Sequence, residues 1–306
     1  MFYKYTSFEV ARYILRNKCL PLGHFSNYND PYECSIDCID EELMNLNGQM
    51  TAEQEREWIN RIITKIADKD KWTNEMRDAS IKAIGAYGAK SLASLNLLAS
   101  ILLIGGAYAY SAITKNKNKF VLTPAHVGKY IQELLPRLGQ TYTSCMSKSF
   151  KEFLLWNHYA DSHKGVVIGF NPNKSPFVDN PPISMDYSNE RFILDADRIL
   201  ACNVYEDIKD ILLRKNKVWK YEKECRFFFD AQNYPEQIIW YDHNDNPVIK
   251  LDDAAIDSVY FGNRVSMEKI NQIRNILLSQ GRSDFIKLYR CRLSDTSYNL
   301  TFLEID

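Results

Sequence analysis

Apolar residues recur at helical spacing in four stretches of the chain. Phe8, Ala11, Ile14 and Leu15 form one stripe, with Thr6 and Glu9 spaced as a capping box at its start. Trp58, Ile59, Ile62, Ile63 and Ile66 follow Thr51 and Gln54, which are placed to cap a second helix. Val127, Ile131, Leu134 and Leu135 follow Thr123-Pro124. Met267, Ile270, Ile273 and Leu277 follow Ser266. Between these stretches the period changes to that of strands. Strands are expected at Lys4–Thr6, around Ser144 and Ser147, over the apolar run 166–170, over 217–229, at 259–261, and at 285–289 and 298–305. The pattern predicts an α+β fold. A body with a mixed or antiparallel sheet would be built from 1–44 and 139–306, with 45–138 inserted as a helical subdomain.

Residues 91–114 have no charged side chain and are flanked by Lys90 and by Lys115, Lys117 and Lys119. Their length is that of a membrane span. Two points oppose that reading. Ser94, Asn96, Ser100, Gly105, Gly106 and Ser111 dilute the stretch. If the flanking regions form one body, both lie on one side of a membrane, and about 24 residues at about 1.5 Å each cannot cross twice. The expectation is a buried helix broken near Gly105-Gly106, with no stable span. Membrane contact or a homo-oligomer interface through 91–114 are the alternatives.

The chain has 306 residues, 45% hydrophobic, enough for a sizeable core, and a net charge of −1. That charge gives no whole-molecule attraction to nucleic acid or anionic membrane. The seven cysteines are odd in number and show no CxxC spacing, and the start MFYKYTSFE is not a secretory signal. Both point to a reduced, cytoplasmic setting.

Two polar segments interrupt this apolar pattern. In the first, Glu222, Glu224 and Arg226 alternate just before Phe227, Phe228 and Phe229. On a strand the three would share a face. Carboxylates that close raise each other's pKa, and the arginine opposes the shift. The plainer reading is a solvated charge ladder on a sheet edge. The second segment, 144–170, reads SCMSKSFKEFLLWNHYADSHKGVVIGF. It carries Ser144 and Ser147, then Trp156, His158, Tyr159, His163, Lys164 and Gly165. Two histidines five apart do not complete a known metal-ligand spacing, and a polar helix end is the plainer reading.

Taken together, S-x-S, L-W-x-H-Y-A-D-x-H-x-G-V and W-x-Y-E-x-E-x-R resemble the bacterial domain of unknown function 2971. Lys4-Tyr5-Thr6 resembles that family's opening strand, with Thr6 where an arginine is usual. Asn29-Asp30-Pro31-Tyr32-Glu33 resembles its N-D-P turn. The resemblance covers about 1–40 and 140–306. The order of elements is also similar to that of ADP-ribosyltransferases, which place a His or Arg on the first strand, a Ser or Tyr on a middle strand and a Glu on a late strand.

That second resemblance implies NAD as substrate. Glu224 would stabilise the oxocarbenium-like charge that forms as the nicotinamide–ribose bond breaks, and Glu222 would handle the acceptor's proton. Ser147 would join them. Lys4, Tyr5, Thr6, Ser144, His158, Tyr159, His163 and Arg226 would bind the nucleotide, with Tyr5 stacking on nicotinamide. The acceptor would be protein or nucleic acid, and the family resemblance implies a bacterial anti-phage or toxin role. Two other readings stay open. Glu222 and Glu224, with Asp161, would hold magnesium in a nuclease. Trp156, His158, Tyr159 and Trp219 would line the pocket of a non-catalytic nucleotide- or peptide-binding module.

Overall fold

The computed structural model describes residues 1–30, 32–34, 61 and 124–305. The helix expected from Thr51 onward and the stretch 91–114 lie outside the described residues. Among those described, no helix is long and apolar enough to cross a membrane. The fold is α+β with a large mixed sheet. The chain divides into two units: Met1–Tyr28, Thr141–Asn189 and Lys215–Asp306, and then Asn29–Gln140 and Glu190–Arg214.

The first unit opens with β1 (Phe2–Thr6), α1 (Phe8–Asn17), β2 (Cys19–Pro21) and β3 (Gly23–His24). It continues with β4 (Thr141–Ser147), α3 (Phe153–His158), β5 (Val166–Phe170), β6 (Ile183–Ser184) and β7 (Asp186–Ser188). After β8 (Arg214–Asn216), a 3-10 helix over Lys217–Glu222 leads into β9 (Glu224–Asp230). The unit closes with β10 (Ile238–Tyr241), β11 (Pro247–Lys250), β12 (Ile256–Phe261), α6 (Met267–Ser279), β13 (Lys287–Leu293) and β14 (Leu300–Glu304). The large sheet runs β14-β13-β12-β5-β1-β4-β9-β6, with β3 also on β4. Among the described strands only β12 and β13 pair in parallel, and α6 makes their crossover.

Strand alternation sends side chains to two cores. Val166, Ile168 and Phe170, with Val259, Phe261, Met146, Cys225, Phe227 and Phe229, pack against Phe8, Ala11, Ile14 and Leu15 of α1 and Ile270, Ile273 and Leu277 of α6. Each fully buried side chain of this size contributes about 2 kcal/mol. On the other face Trp156, Ala160, Val167 and Tyr260 gather Tyr3, Tyr5, Phe150, Tyr289 and Phe302.

Helix α1 is capped by Ser7, whose hydroxyl accepts from Val10 N, and not by the expected Thr6. Thr6 is still the last residue of β1, paired with Val166, so its backbone is committed to the sheet. Ser266 caps α6 through Lys269 N as expected, although Met267 is exposed. The closing strands begin two residues later than the periodicity indicated.

Strands β1 and β4 meet at one register pair, Tyr3↔Ser147. Farther along the same edge of β4, Thr143 and Tyr142 pair with Gly23 and His24 of β3. Between these two stretches Lys4 Nζ reaches across to Ser144 Oγ at 3.0 Å and lies 3.5 Å from the Cys145 carbonyl oxygen. A side-chain ammonium thus stands where the backbone ladder is interrupted.

In the second unit α2 (Pro124–Gly139) packs on α4 (Ala196–Ala201) and α5 (Val204–Leu213). Val127, Ile131, Leu134 and Leu135 are buried, as their spacing predicts. Buried Asp207 accepts from Tyr130 Oη at 2.8 Å and pairs with Arg198, which also reaches Asp210 at 2.9 Å. Asp30 of the N-D-P turn accepts from Tyr32 N at 2.9 Å.

Candidate functional site

The polar cluster is assembled from three consecutive stretches of chain. Lys217–Glu222 winds as a 3-10 helix capped by the Asn216 side chain, and Lys223 ends it at φ 48°. That left-handed residue turns the chain into β9, which begins at Glu224. Glu222 therefore lies outside the strand, contrary to the alternation expected from sequence. Glu224 and Arg226 do share a strand face, and Cys225, Phe227 and Phe229 alternate into the core.

Lys215 of β8 closes the cluster. Its Nζ lies 2.7 Å from Glu222 Oε2 and 2.8 Å from Glu224 Oε2. Arg226 Nε donates to Glu224 Oε1 at 2.8 Å. Tyr159, just past α3, donates to Glu222 Oε1 at 2.9 Å. Ser147 is the cross-strand partner of Glu224, and its hydroxyl donates to the Glu222 carbonyl oxygen at 2.7 Å. Glu224 N donates to Tyr187 Oη at 2.7 Å. The Arg226 guanidinium sits 4.5 Å from the centre of the Tyr28 ring, and Tyr28 Oη hydrogen-bonds Thr143 Oγ1.

Lys215, Glu222, Glu224 and Arg226 are all buried, so the expected solvated ladder is instead an internal ion network. Two carboxylates face two cations. In a poorly solvated site, ions persist only when paired and hydrogen-bonded in this way.

Burial pushes the Glu224 pKa up, with Lys215 opposing the shift and Glu222 adding to it. Burial alone would lower Lys215, but Glu224 and Glu222 outweigh it and hold the ammonium above the ordinary lysine range. Burial lowers Lys4, and the charges of Cys145 and Glu224 oppose that shift. The Tyr187 phenol is pushed up to about 12 by burial.

The remaining expected site residues are spread more widely. Lys4 and Ser144 bond to each other at the β1–β4 interruption. Ser144 pairs with core Phe227, so it faces away from Ser147 and Glu224. Tyr5 turns its ring edge-on to Trp156 at 5.5 Å; its hydroxyl donates to the Ser149 carbonyl oxygen and accepts from Glu152 N. That ring is half-buried against the second core. Thr6 is buried at the end of β1. His158 is exposed, its ring 6.2 Å from that of Tyr159.

His163 is buried between Phe153 and Trp156, and neither ring nitrogen has a hydrogen-bond partner. It ends a run of three left-handed residues: Asp161, Ser162 and His163 have φ of 47°, 50° and 69°. Gly165 follows because nothing larger fits. A Cβ there would lie 2.3 Å from Thr6 O and 2.8 Å from Ala160 O.

Sequence reasoning missed Lys215, Tyr187 and Tyr28. Lys215 stands among Lys217, Lys220 and Lys223, and nothing in the spacing singles it out. The tyrosines lie far from the motif in sequence and reach it only through folding. Among the described residues no three His, Cys, Asp or Glu side chains come together as a metal-ligand set, and Asp161 is exposed in its turn.

No curated protein and no solved structure matches the chain. A family match is found over 155–227, which includes Tyr159, the left-handed turn, Lys215, both glutamates and Arg226. It is narrower than the 1–40 and 140–306 over which the motifs resemble the family. Residues 155–227 are similar to the family described as "Protein of unknown function (DUF2971)".

Proposed function

We propose that the first unit is an NAD-consuming, ADP-ribosyltransferase-like enzyme with Glu224 as its central carboxylate. One observation carries this reading. The three strands to which the resemblance assigns its residues are neighbours in the sheet, in the order β1-β4-β9, and Tyr3, Ser147 and Glu224 stand in one register row. Ser147 and Glu224, though far apart in sequence, therefore converge beside Tyr3, while Lys4 turns with Ser144 toward the opposite face.

In this reading a dinucleotide would set its ribose against Glu224. Lys4 makes no ion pair among the described residues, and its ammonium bonds Ser144 Oγ. Lys215 and Arg226 each hold one Glu224 oxygen and the Cys145 thiol adds a third bond, which leaves lone-pair capacity for a developing cation. The chemistry is substitution at the ribose carbon. The bond to nicotinamide breaks, nicotinamide leaves with that electron pair, and the acceptor's nucleophile bonds to the carbon. The acceptor's proton passes to Glu222, which borders Glu224 across the Lys215 ammonium.

One observation favours the non-catalytic binding-module reading. Lys215 and Arg226 already balance the charges of the two glutamates, as they would in a purely structural network. Release of nicotinamide from NAD by the full chain, measured beside Glu224→Gln, separates the two. The transferase reading requires release that the variant lacks. A binding module releases none.

A further inference from the structure

Lys215 is the member of the cluster that sequence reasoning passed over, and it is the one that touches both carboxylates. Its ammonium lies 2.7 Å from one Glu222 oxygen and 2.8 Å from one Glu224 oxygen. It comes from β8, outside the turn and strand that carry the glutamates, so it fixes their separation from a third direction. The other oxygen of each is also held, by Tyr159 in one case and Arg226 in the other.

Glu224 is further faced by Cys145 and Lys4, Glu222 by Tyr221, and both by Tyr187, whose hydroxyl also holds the Glu224 backbone. Among these, only Lys215 bridges the pair. Two buried carboxylates this close would otherwise share a proton.

We propose that Lys215 is the positioning residue of the pair, a dedicated counter-ion that holds the Glu222 and Glu224 carboxylates side by side and aimed. As a role in catalysis this rests on the transferase reading. As a claim about the two carboxylates it does not. Lys215 is not itself a nucleophile, because the two glutamates hold its proton firmly.

The test uses the full chain with Lys215→Met, Lys215→Arg and the double variant Lys215→Met/Glu222→Gln. Glutamate carboxyl titration is read by carbon-13 NMR, and the pH profile of nicotinamide release is read in parallel. Lys215→Met is expected to raise one carboxyl midpoint by about one pH unit or more and to move the acid limb of the profile by the same amount. Lys215→Arg is expected to leave both in place. The double variant is expected to return them toward wild type, because one carboxylate then remains for Arg226. A purely structural lysine would show no such return.

Unchanged midpoints in Lys215→Met overturn the proposal. If that variant does not fold, a raised midpoint in Lys215→Arg, or in the double variant, overturns it. Wild-type protein that releases no nicotinamide removes the transferase reading, and the carboxyl titration still decides what Lys215 does.

Discussion

Ser147 and Glu224 are cross-strand partners on β4 and β9, and the Ser147 hydroxyl also holds the carbonyl oxygen of Glu222. One serine thus ties the strand that carries one glutamate to the turn that carries the other. Its oxygen accepts from Ser149 N at 3.1 Å as well, which fixes the loop leading to Tyr159.

Ser147→Ala should therefore loosen the turn without removing any charge. The buried Glu222 carbonyl would lose its side-chain donor, at a cost of about 1–3 kcal/mol. Chemical denaturation is expected to show that loss. Stability equal to wild type would mean that the turn is held by its other contacts.

Gly165→Ala should be more damaging. The added methyl would stand 2.3 Å from Thr6 O, a backbone atom inside the β1–β5 ladder, so relief requires moving a strand. The expected cost is about 2 kcal/mol or more. Normal melting and expression for this variant would contradict the packing described for the Ala160–Gly165 turn.

His163 should make stability depend on pH. Burial pushes its pKa below the ordinary histidine value, and the neighbouring Arg264 charge adds to this. The unfolded chain then binds the proton more readily than the native one. Stability attached to this group is full above the unfolded pKa of about 6.5 and falls as the pH drops below it. The melting temperature of wild type is expected to fall further than that of His163→Phe between about pH 7 and about pH 5. Equal falls would show that the imidazole is solvated.

Much of the fold was legible in sequence, because apolar periodicity reports burial directly. Phe8, Ala11, Ile14 and Leu15 of α1, and all of 166–170, lie where their spacing places them. Thr6 misled because a capping box needs a free residue before the helix, and the sheet had claimed it. Glu222 misled for a different reason. Alternation assumes continuous extended backbone, and Lys223 breaks it in a left-handed conformation that no local pattern announces. Lys215 was hidden because its role is set by two partners that only the turn brings together. The pairing of Lys4 with Ser144 depends on where β1 and β4 part, which is a property of the whole sheet.

The central claim is that Glu224 carries a reaction on NAD. The most direct measurement is nicotinamide release by the purified 306-residue chain, wild type beside Glu224→Gln, with folding of both verified by circular dichroism. The variant keeps the shape of the side chain and removes the charge that would stabilise the forming cation. The expected result is release by wild type and about a 100- to 1000-fold loss in the variant. No release by folded wild type with protein and nucleic-acid acceptors present, or equal release by both proteins, would contradict the account.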